Sequence, residues 1–301
     1  MDTLSSLSND LADAVAAAAR AVVTVNARRR IPSTGVHWRP GIVVTAEHTV
    51  RMDDEITVGR PDGRSVPATL GGRDPSTDLA VLIVQDADAD FPVAALAEPV
   101  SLKVGHMVLA LGHGPRASCG VVSALGGRWR TGRGGEIDQL IQVDLVLYPG
   151  FSGGPLVDTA GRVVGINTSG LSRHLPLAIP ASAVTRLGEE LVKKGHVSRG
   201  YLGVGFHPVP LPAPLVGSLG IVGEVGLVVV NLQPDGPAAR AGLLLGDIVA
   251  AVEGAPVRDA GDVQALLGPE RVGRPIRASI VRAGALVEVT ITVGERPRPA
   301  R

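Results

Sequence analysis

The sequence predicts a mainly β chain of two domains, in which strands arranged as barrels are followed by a smaller α+β domain. Three observations support this fold class. First, the length of 301 residues exceeds the usual size of a single domain. Second, 39 glycines and 23 prolines occur with only 2% aromatic residues, which is typical of many short strands joined by turns. Third, a new pattern of strands and helices begins near residue 200.

The first domain is predicted from short β-type runs between residue 41 and about residue 170. Turn signals such as Gly126-Gly127 separate these runs, and their regular spacing predicts an all-β barrel or a pair of barrels. The runs cover residues 41–45, 55–58, 79–84, 107–111, 140–143 and 162–166.

Helical patterns flank this β region. Apolar residues at helical spacing predict a short amphipathic helix over residues 3–23, within an N-terminal helical segment of residues 1–30. A second helix is predicted over 181–194, because Pro180 precedes it, Gly195 follows it, and lysines occupy its last turn. The predicted boundaries are therefore 1–30 for the N-terminal segment and 31–198 for the first domain.

The second domain is predicted over residues 199–296, followed by a tail at 297–301. Its pattern mixes strands with two short helices, predicted at 237–241 and 262–267. The later strands are predicted over 247–252, 276–282 and 286–293.

Charge and composition exclude several classes of function. The 29 basic and 29 acidic residues give a formal net charge of zero, which argues against a nucleic-acid partner. The single cysteine, Cys119, has no partner for an internal disulfide. Apolar runs long enough for a membrane span are absent from the sequence. Asp10 and Asp13 stand where a signal peptide needs positive charge, so we expect no export signal and a cytoplasmic protein.

Ser152 is the candidate nucleophile, because it stands in the glycine-rich turn Pro149-Gly-Phe-Ser-Gly-Gly-Pro155. Acyl transfer needs an exposed hydroxyl beside backbone N–H groups that can hold an oxyanion, and glycine allows close approach of the substrate. His48 and Asp78 are the candidate base and orienting acid, since each stands beside a predicted strand. The order His, Asp, Ser is that of chymotrypsin-type proteases. The turn also satisfies G-x-S-x-G, but the strand predicted after Ser152 argues against an α/β-hydrolase, which needs a helix there.

Several segments of the chain occur in a recognisable order and spacing. In the first domain they are Thr45-Ala-Glu-His48, Gly71-Gly-Arg-Asp-Pro-Ser-Thr-Asp-Leu-Ala-Val-Leu82, Gln142-Val-Asp144, Pro149–Val157 and Gly165-Ile-Asn167. In the second domain they are Arg199-Gly-Tyr-Leu-Gly-Val204, Pro237-Ala-Ala-Arg-Ala-Gly-Leu243 and Gly246-Asp-Ile-Val249. Together they resemble the HtrA/Deg family of trypsin-like serine proteases, which carries a PDZ domain. The resemblance implies a chymotrypsin/trypsin-like double β-barrel followed by a smaller α+β PDZ domain.

The resemblance also implies roles for individual residues. His48 is the general base, Asp78 holds its imidazole, and Ser152 attacks the scissile carbonyl. Backbone N–H groups of Gly150 and Ser152, with Phe151 between them, are expected to form the oxyanion hole. The implied function is a serine endopeptidase for unfolded or specific protein substrates. No cofactor is expected, and the histidines lack the spacing of metal ligands.

Two positions depart from the usual residues of the family. Phe151 replaces the asparagine that directly precedes the serine, and Tyr148 replaces the asparagine that precedes the proline. These departures leave open an alternative function, a catalytically weak or inactive homologue that acts as a peptide-binding scaffold or chaperone. In trypsin-like folds the pocket floor lies a few residues before the nucleophile, at Val146 and Leu147 in this chain. We therefore expect small or medium apolar residues before the scissile bond.

The PDZ-like domain is expected to bind peptides. Tyr201, Leu202, Gly203 and Val204 resemble the loop whose backbone N–H groups hold a C-terminal carboxylate, and a strand follows that a peptide can extend. The expected partners are proteins or peptides with apolar C-termini. Family members are typically trimers, so a homotrimer is a further expectation.

Overall fold

The computed structural model of the chain describes residues 3–85, 91–98, 102–114, 116–172 and 174–297. The chain divides into two compact units, Met1–Val197 and Ser198–Arg301. The predicted fold class is confirmed, because the first unit contains two closed six-stranded barrels and the second mixes a sheet with short helices. The predicted tail at 297–301 lies outside the described residues except for residue 297.

The first barrel follows an N-terminal helix, α1 (Thr3–Ala19). Its strands are antiparallel and follow the order β1-β2-β3-β6-β5-β4 around the barrel. They are β1 (Val22–Asn26), β2 (Ser33–Arg39), β3 (Ile42–Ala46), β4 (Ile56–Gly59), β5 (Ser65–Asp74) and β6 (Leu79–Val84). The prediction of a helical segment over 1–30 is therefore wrong beyond residue 19. Residues 22–25 read Val-Val-Thr-Val, and β-branched side chains favour a strand.

The second barrel has the strand order β11-β14-β13-β12-β7-β8. Its strands are β7 (Met107–Gly112), β8 (Arg116–Gly126), β11 (Leu140–Asp144), β12 (Pro155–Val157), β13 (Val163–Thr168) and β14 (Leu177–Pro180). Between β8 and β11 a two-stranded ribbon pairs β9 (Trp129–Arg130) with β10 (Glu136–Ile137). The predicted helix over 181–194 is confirmed as α2 (Ala181–Lys194), which ends at Gly195 in the left-handed region with φ 77°.

Burial of aliphatic side chains stabilises this unit. Each barrel has its own interior cluster, rich in valine in the first barrel and in leucine, isoleucine and valine in the second. A third cluster joins elements of both barrels and includes Leu187 and Leu191 of α2. The barrels consequently pack as one body, and loops from both can meet in one site.

The second unit is built on an antiparallel sheet of order β16-β17-β18-β20-β21. Its elements are β15 (Gly200–Tyr201), β16 (Val204–Pro210), α3 (Ala213–Leu219), β17 (Val225–Leu232), α4 (Pro237–Arg240), β18 (Ile248–Val252), β19 (Ala255–Pro256), α5 (Ala260–Ala265), β20 (Pro275–Arg282), β21 (Ala285–Thr292) and β22 (Gly294–Glu295). Helix α5 begins two residues before its predicted start, because Asp259 caps it in a capping box with Asp262. Strand β16 lies at the edge of the sheet and contacts α5.

Candidate active site

His48 and Asp78 meet at the end of the first barrel. A short 3₁₀ turn, Glu47–Thr49, follows β3 and carries His48, while Asp78 directly precedes β6, the strand paired with β3. His48 Nδ1 lies 2.8 Å from Asp78 Oδ2, and the backbone N–H of His48 donates to Asp78 Oδ1 at 2.8 Å. The carboxylate therefore holds both the ring and the backbone of the histidine, which leaves Nε2 directed away from the acid.

The Asp78 carboxylate is fully buried and accepts a further hydrogen bond from Thr168 Oγ1. Its backbone has φ 58°, in the left-handed region, where aspartate is tolerated better than most residues. Gly170 covers the pair closely, since a Cβ there would lie 2.5 Å from Asp78 Oδ2 and 2.7 Å from His48 Nδ1. The acid is thus fixed in orientation from several sides.

A second carboxylate, Glu47, adjoins this pair. Burial, followed by the charge of Asp78, raises the pKa of Glu47, whereas Arg73 at 3.7 Å acts in the opposite direction. The raised pKa reflects mainly the cost of burying the Glu47 carboxylate, to which the negative charge of Asp78 adds.

Ser152 lies in the turn before β12 of the second barrel and is brought to the same site. Ser152 Oγ lies 3.0 Å from Ser169 Oγ, and Ser169 Oγ lies 3.5 Å from His48 Nε2. Ser169 N–H also donates to Ser152 Oγ at 3.4 Å. Among the described residues, no hydrogen bond joins Ser152 directly to His48. The structure therefore gathers the three predicted residues in one site, with the Ser169 hydroxyl between nucleophile and base.

The turn that precedes Ser152 presents two unpaired N–H groups. Phe151 N–H donates to Tyr148 O at 2.9 Å, and Gly150 has φ 95°. Since Pro149 fixes its own φ near −65°, this combination defines a type II turn with glycine at its third position. Within the described part of the chain, neither Gly150 N–H nor Ser152 N–H donates to another group. These are the two donors that the sequence predicts for an oxyanion hole.

Thr34 at the start of β2 fixes this turn to the first barrel. Its Oγ1 donates to Gly150 O at 2.6 Å and accepts from His113 N–H at 2.7 Å. Its backbone N–H donates to Ser152 O at 3.4 Å. The position of the turn is consequently set by hydrogen bonds on its backbone.

The Phe151 ring points into the second barrel and is fully buried. It meets Tyr148 edge to face, with ring centroids 5.5 Å apart. Gly112 provides the room, because a Cβ at that position would lie 2.5 Å from two carbons of the ring. The departure from the usual asparagine thus affects the barrel interior and leaves the backbone donors of the turn unobstructed.

The two residues predicted for the pocket floor follow the end of β11. Val146 is 56% exposed, and Leu147 packs partly against the core of the second barrel. Tyr148, the next residue along the chain, is 51% exposed. The surface that leads into the nucleophile turn is therefore apolar.

In the second unit, the predicted carboxylate-binding loop spans the end of β15 and the start of β16. Its carbonyl groups are engaged, because Leu202 O accepts from Ala238 N–H at 2.8 Å and Gly203 O accepts from Gln233 N–H at 2.7 Å. Gly203 has φ 72°. In the described residues the N–H groups of Leu202 and Gly203 have no acceptor, so they are available to a ligand.

Sequence reasoning missed four residues of the site. Thr34 has no local signal, whereas Thr168, Ser169 and Gly170 directly follow the segment Gly165-Ile-Asn167, which carries part of the family resemblance. Clusters of histidine, cysteine and carboxylate side chains that could hold a metal ion are absent from the part of the chain described.

Comparison with known proteins agrees with this geometry. Residues 33–166 match the trypsin-like peptidase domain family, and residues 200–293 match the PDZ domain family. A probable periplasmic serine endoprotease, DegP-like, from Brucella suis is 37% identical over 266 residues, which cover 85% of this chain and 51% of the relative. The corresponding protein from Halomonas elongata is 37% identical over 279 residues, which cover 90% of this chain and 57% of the relative. The chain therefore spans little more than half the length of these relatives.

Solved structures match over nearly the whole chain. The HtrA-type protease AlgW with a decapeptide is 31% identical with a TM-score of 0.75, and the match covers 96% of this chain and 99% of that one. The serine endoprotease from Yersinia pestis is 31% identical with a TM-score of 0.75, and the match covers 96% of this chain and 98% of that one.

Fold, site and comparisons define a trypsin-like serine peptidase domain joined to a PDZ domain. More particularly, the chain belongs to the HtrA family, as the resemblance predicted.

The prediction of a cytoplasmic protein is wrong, because the relatives are named periplasmic endoproteases. That prediction rested on the lack of an export signal in the first residues, and such a lack does not identify a compartment. None of the helices in the described residues is long and apolar enough to cross a bilayer.

Proposed function

We propose that the chain is a serine endopeptidase that cleaves protein substrates with His48, Asp78 and Ser152. The observation that carries the proposal is the pairing of the buried Asp78 carboxylate with His48 Nδ1 at 2.8 Å, while Ser152 stands beside two unpaired N–H donors. The carboxylate selects the tautomer with hydrogen on Nδ1 and stabilises the imidazolium that forms when Nε2 takes a proton.

Ser169 connects the nucleophile to the base. The Ser152 proton passes to the Ser169 oxygen while the Ser169 proton passes to His48 Nε2, so that the Ser169 hydroxyl is regenerated. Distances of 3.0 Å and 3.5 Å along this path support the arrangement in the free protein, where catalytic contacts are often long. Ser152 Oγ then bonds to the scissile carbonyl carbon, and imidazolium later returns the proton to the leaving amine.

The oxyanion that forms is placed between the N–H groups of Gly150 and Ser152. Both donors belong to backbone that is held by Thr34 and by the turn itself, so they need little reorganisation when charge develops on the oxygen. Val146 and Leu147 contribute the apolar floor for the residue before the scissile bond, which favours small or medium apolar residues there.

The PDZ domain is proposed to bind apolar C-terminal tails. Leu202 and Gly203 contribute N–H donors for the terminal carboxylate, Tyr201 and Val204 flank them, and the free edge of β16 pairs with the peptide backbone. Titration of the full chain with a peptide ending in valine tests this role, and the same peptide with an amidated C-terminus is the matched control. Equal affinity for both peptides would contradict carboxylate recognition.

The compartment and the assembly are further parts of the proposal. We propose that the chain acts in the periplasm, as the names of its relatives indicate. A homotrimer stays a prediction, which sedimentation of the purified chain tests directly.

A fluorophosphonate probe tests the catalytic proposal, because it reacts with an activated serine. We expect labelling of the wild-type chain, no labelling of Ser152→Ala, and normal labelling of Ser123→Ala, which alters an exposed serine on β8. Degradation of unfolded casein should follow the same pattern. Folded wild-type chain that takes no label would instead favour the peptide-binding scaffold.

A further inference from the structure

Two basic side chains lie against the nucleophile turn, His113 from the loop after β7 and Arg116 from the first position of β8. A Cβ on Gly150 would lie 3.0 Å from His113 Nε2 and 3.3 Å from Arg116 Nη2. Arg116 Nη2 lies 2.9 Å from His113 Nε2, and its guanidinium lies 5.6 Å from the centre of the Phe151 ring. Arg116 is consequently held beside the residue that provides one of the proposed oxyanion donors.

A third basic side chain, Arg28, approaches from the segment that leads into β2. Its guanidinium donates to Ile31 O and, at 3.4 Å, to Pro32 O, two residues before Thr34. The pKa of His113 is lowered, chiefly by burial and then by the charges of Arg116 and Arg28. The charge of Arg28 therefore acts on His113. Arg116 donates to His113 Nε2, so this nitrogen carries no proton and the positive charge of this group resides on the two arginines.

These charges have no counter-charge within the described residues. No carboxylate there forms an ion pair with Arg28, His113 or Arg116, whose hydrogen bonds go to carbonyl oxygens and to the imidazole. Arg64 and Arg162 of the same unit, by contrast, each pair with an aspartate. An uncompensated positive surface beside a peptide site attracts an anionic group of the substrate and discriminates against a cationic one.

The location of the basic group relative to the pocket decides which part of a substrate meets it. Val146 and Leu147 reach the turn from β11, whereas His113 and Arg116 reach Gly150 from the end of the β7–β8 hairpin. Arg28, in the segment before β2, adds its charge near His113. In a bound substrate the scissile carbonyl oxygen points to the Gly150 N–H, and the side chain before the scissile bond points toward Val146. The residues after the scissile bond then pass Gly150 on the side of the basic group.

We infer that Arg28, His113 and Arg116 form a subsite for an aspartate or glutamate one or two residues after the scissile bond. This inference rests on the proposed endopeptidase function, because it assigns a substrate preference to the same site. The substrate class is thus a protein segment with an apolar residue before the cleaved bond and an acidic residue shortly after it.

The test uses internally quenched peptides with leucine before the scissile bond that differ only in the second residue after it, which is glutamate, alanine or lysine. For the wild-type chain we expect kcat/KM about fivefold higher for glutamate than for alanine, and lower still for lysine, because partly exposed charge pairs contribute modestly. The preference should weaken as salt is raised.

Variants separate the subsite from other causes. Arg116→Gln and, independently, Arg28→Gln should bring the ratio of glutamate to alanine toward one, while Arg64→Gln, whose arginine pairs with Asp62, should keep it. A wild-type ratio near one overturns the subsite alone. A variant that lowers kcat/KM for all three peptides by the same factor also overturns it, since the arginines would then act on fold or transition state. If no peptide is cleaved, the proposed function fails and the subsite fails with it.

Discussion

Replacing Gly150 by alanine tests whether the type II turn creates the oxyanion hole. Gly150 has φ 95°, where an L-residue is strained by about 1–2 kcal/mol. Rotating the peptide between Pro149 and Gly150 converts the turn to type I and removes this strain. The same rotation turns the Gly150 N–H away from the hole and puts the Pro149 carbonyl in its place. Because one lost oxyanion donor lowers kcat by about 10²–10³, we expect Gly150→Ala to lose activity in that range.

The expected loss of stability is small by comparison, so two measurements distinguish the hole from general unfolding. Urea unfolding should show a decrease of about 1–2 kcal/mol from the strain. The new Cβ also lies 3.0 Å from His113 Nε2 and 3.3 Å from Arg116 Nη2, so these side-chain ends must shift. Gly105→Ala is the matched control, because Gly105 has φ 91° and a Cβ there would meet no atom within 4 Å. It should lose similar stability but keep kcat/KM. If Gly150→Ala cleaves peptides as fast as the wild type, the turn is not the source of the oxyanion donors.

Substitutions at three further positions examine other contacts. Gly170→Ala places a Cβ 2.5 Å from Asp78 Oδ2 and displaces this carboxylate, so kcat should fall by at least tenfold. Circular dichroism should show that the fold is kept. An unchanged kcat would show that the site tolerates displacement of the acid. Ser169→Ala removes the hydroxyl between Ser152 and His48 and should slow fluorophosphonate labelling about tenfold, in line with the loss of one hydrogen bond. Ser169→Thr keeps a hydroxyl and should retain labelling. An alanine variant labelled as fast as the wild type would exclude the relay. Asp247, whose pKa is lowered chiefly by hydrogen bonds from Arg282, stabilises the second unit while ionised, so Asp247→Asn should lower Tm at pH 7. The difference in Tm between the wild type and Asp247→Asn should disappear as the pH falls below 3.8, the ordinary pKa of aspartate, and then through the lowered pKa of Asp247 in the folded state. A difference that does not change with pH would contradict the ion pair.

Much of the architecture is readable from local signals. Helix α2 was predictable over its full length because Pro180, the terminal lysines and Gly195 all indicate the same boundaries. Strands β3, β4, β6 and β11 follow short β-type runs with clear turns. His48, Asp78 and Ser152 could be grouped because each occupies its own recognisable segment, and the fold brings the three segments together.

Other features depend on contacts between distant residues and give no local signal. Thr34 meets Gly150 across 116 positions of sequence, and only the completed barrels place its hydroxyl there. Strand β1 was assigned to a helical segment because alanine-rich residues precede it, although its valines favour a strand. Helix α3 lies in a stretch rich in proline and glycine, where turn signals outweigh the helical pattern.

Phe151 shows why a side-chain departure in a catalytic turn can leave the backbone donors in place. From sequence alone, a large ring beside the nucleophile suggests an obstruction of the oxyanion hole. The ring is instead buried in the second barrel, where the missing side chain of Gly112 leaves the space that it fills. Burial of an aromatic side chain contributes several kcal/mol, on the order of the 3–5 kcal/mol lost when one is truncated to alanine. That energy adds to the hydrogen bonds from Thr34 in fixing the peptide on either side of Phe151, and therefore the Ser152 N–H. Residues 112 and 151 consequently act as a pair, and a larger residue at 112 would displace the ring and the turn with it.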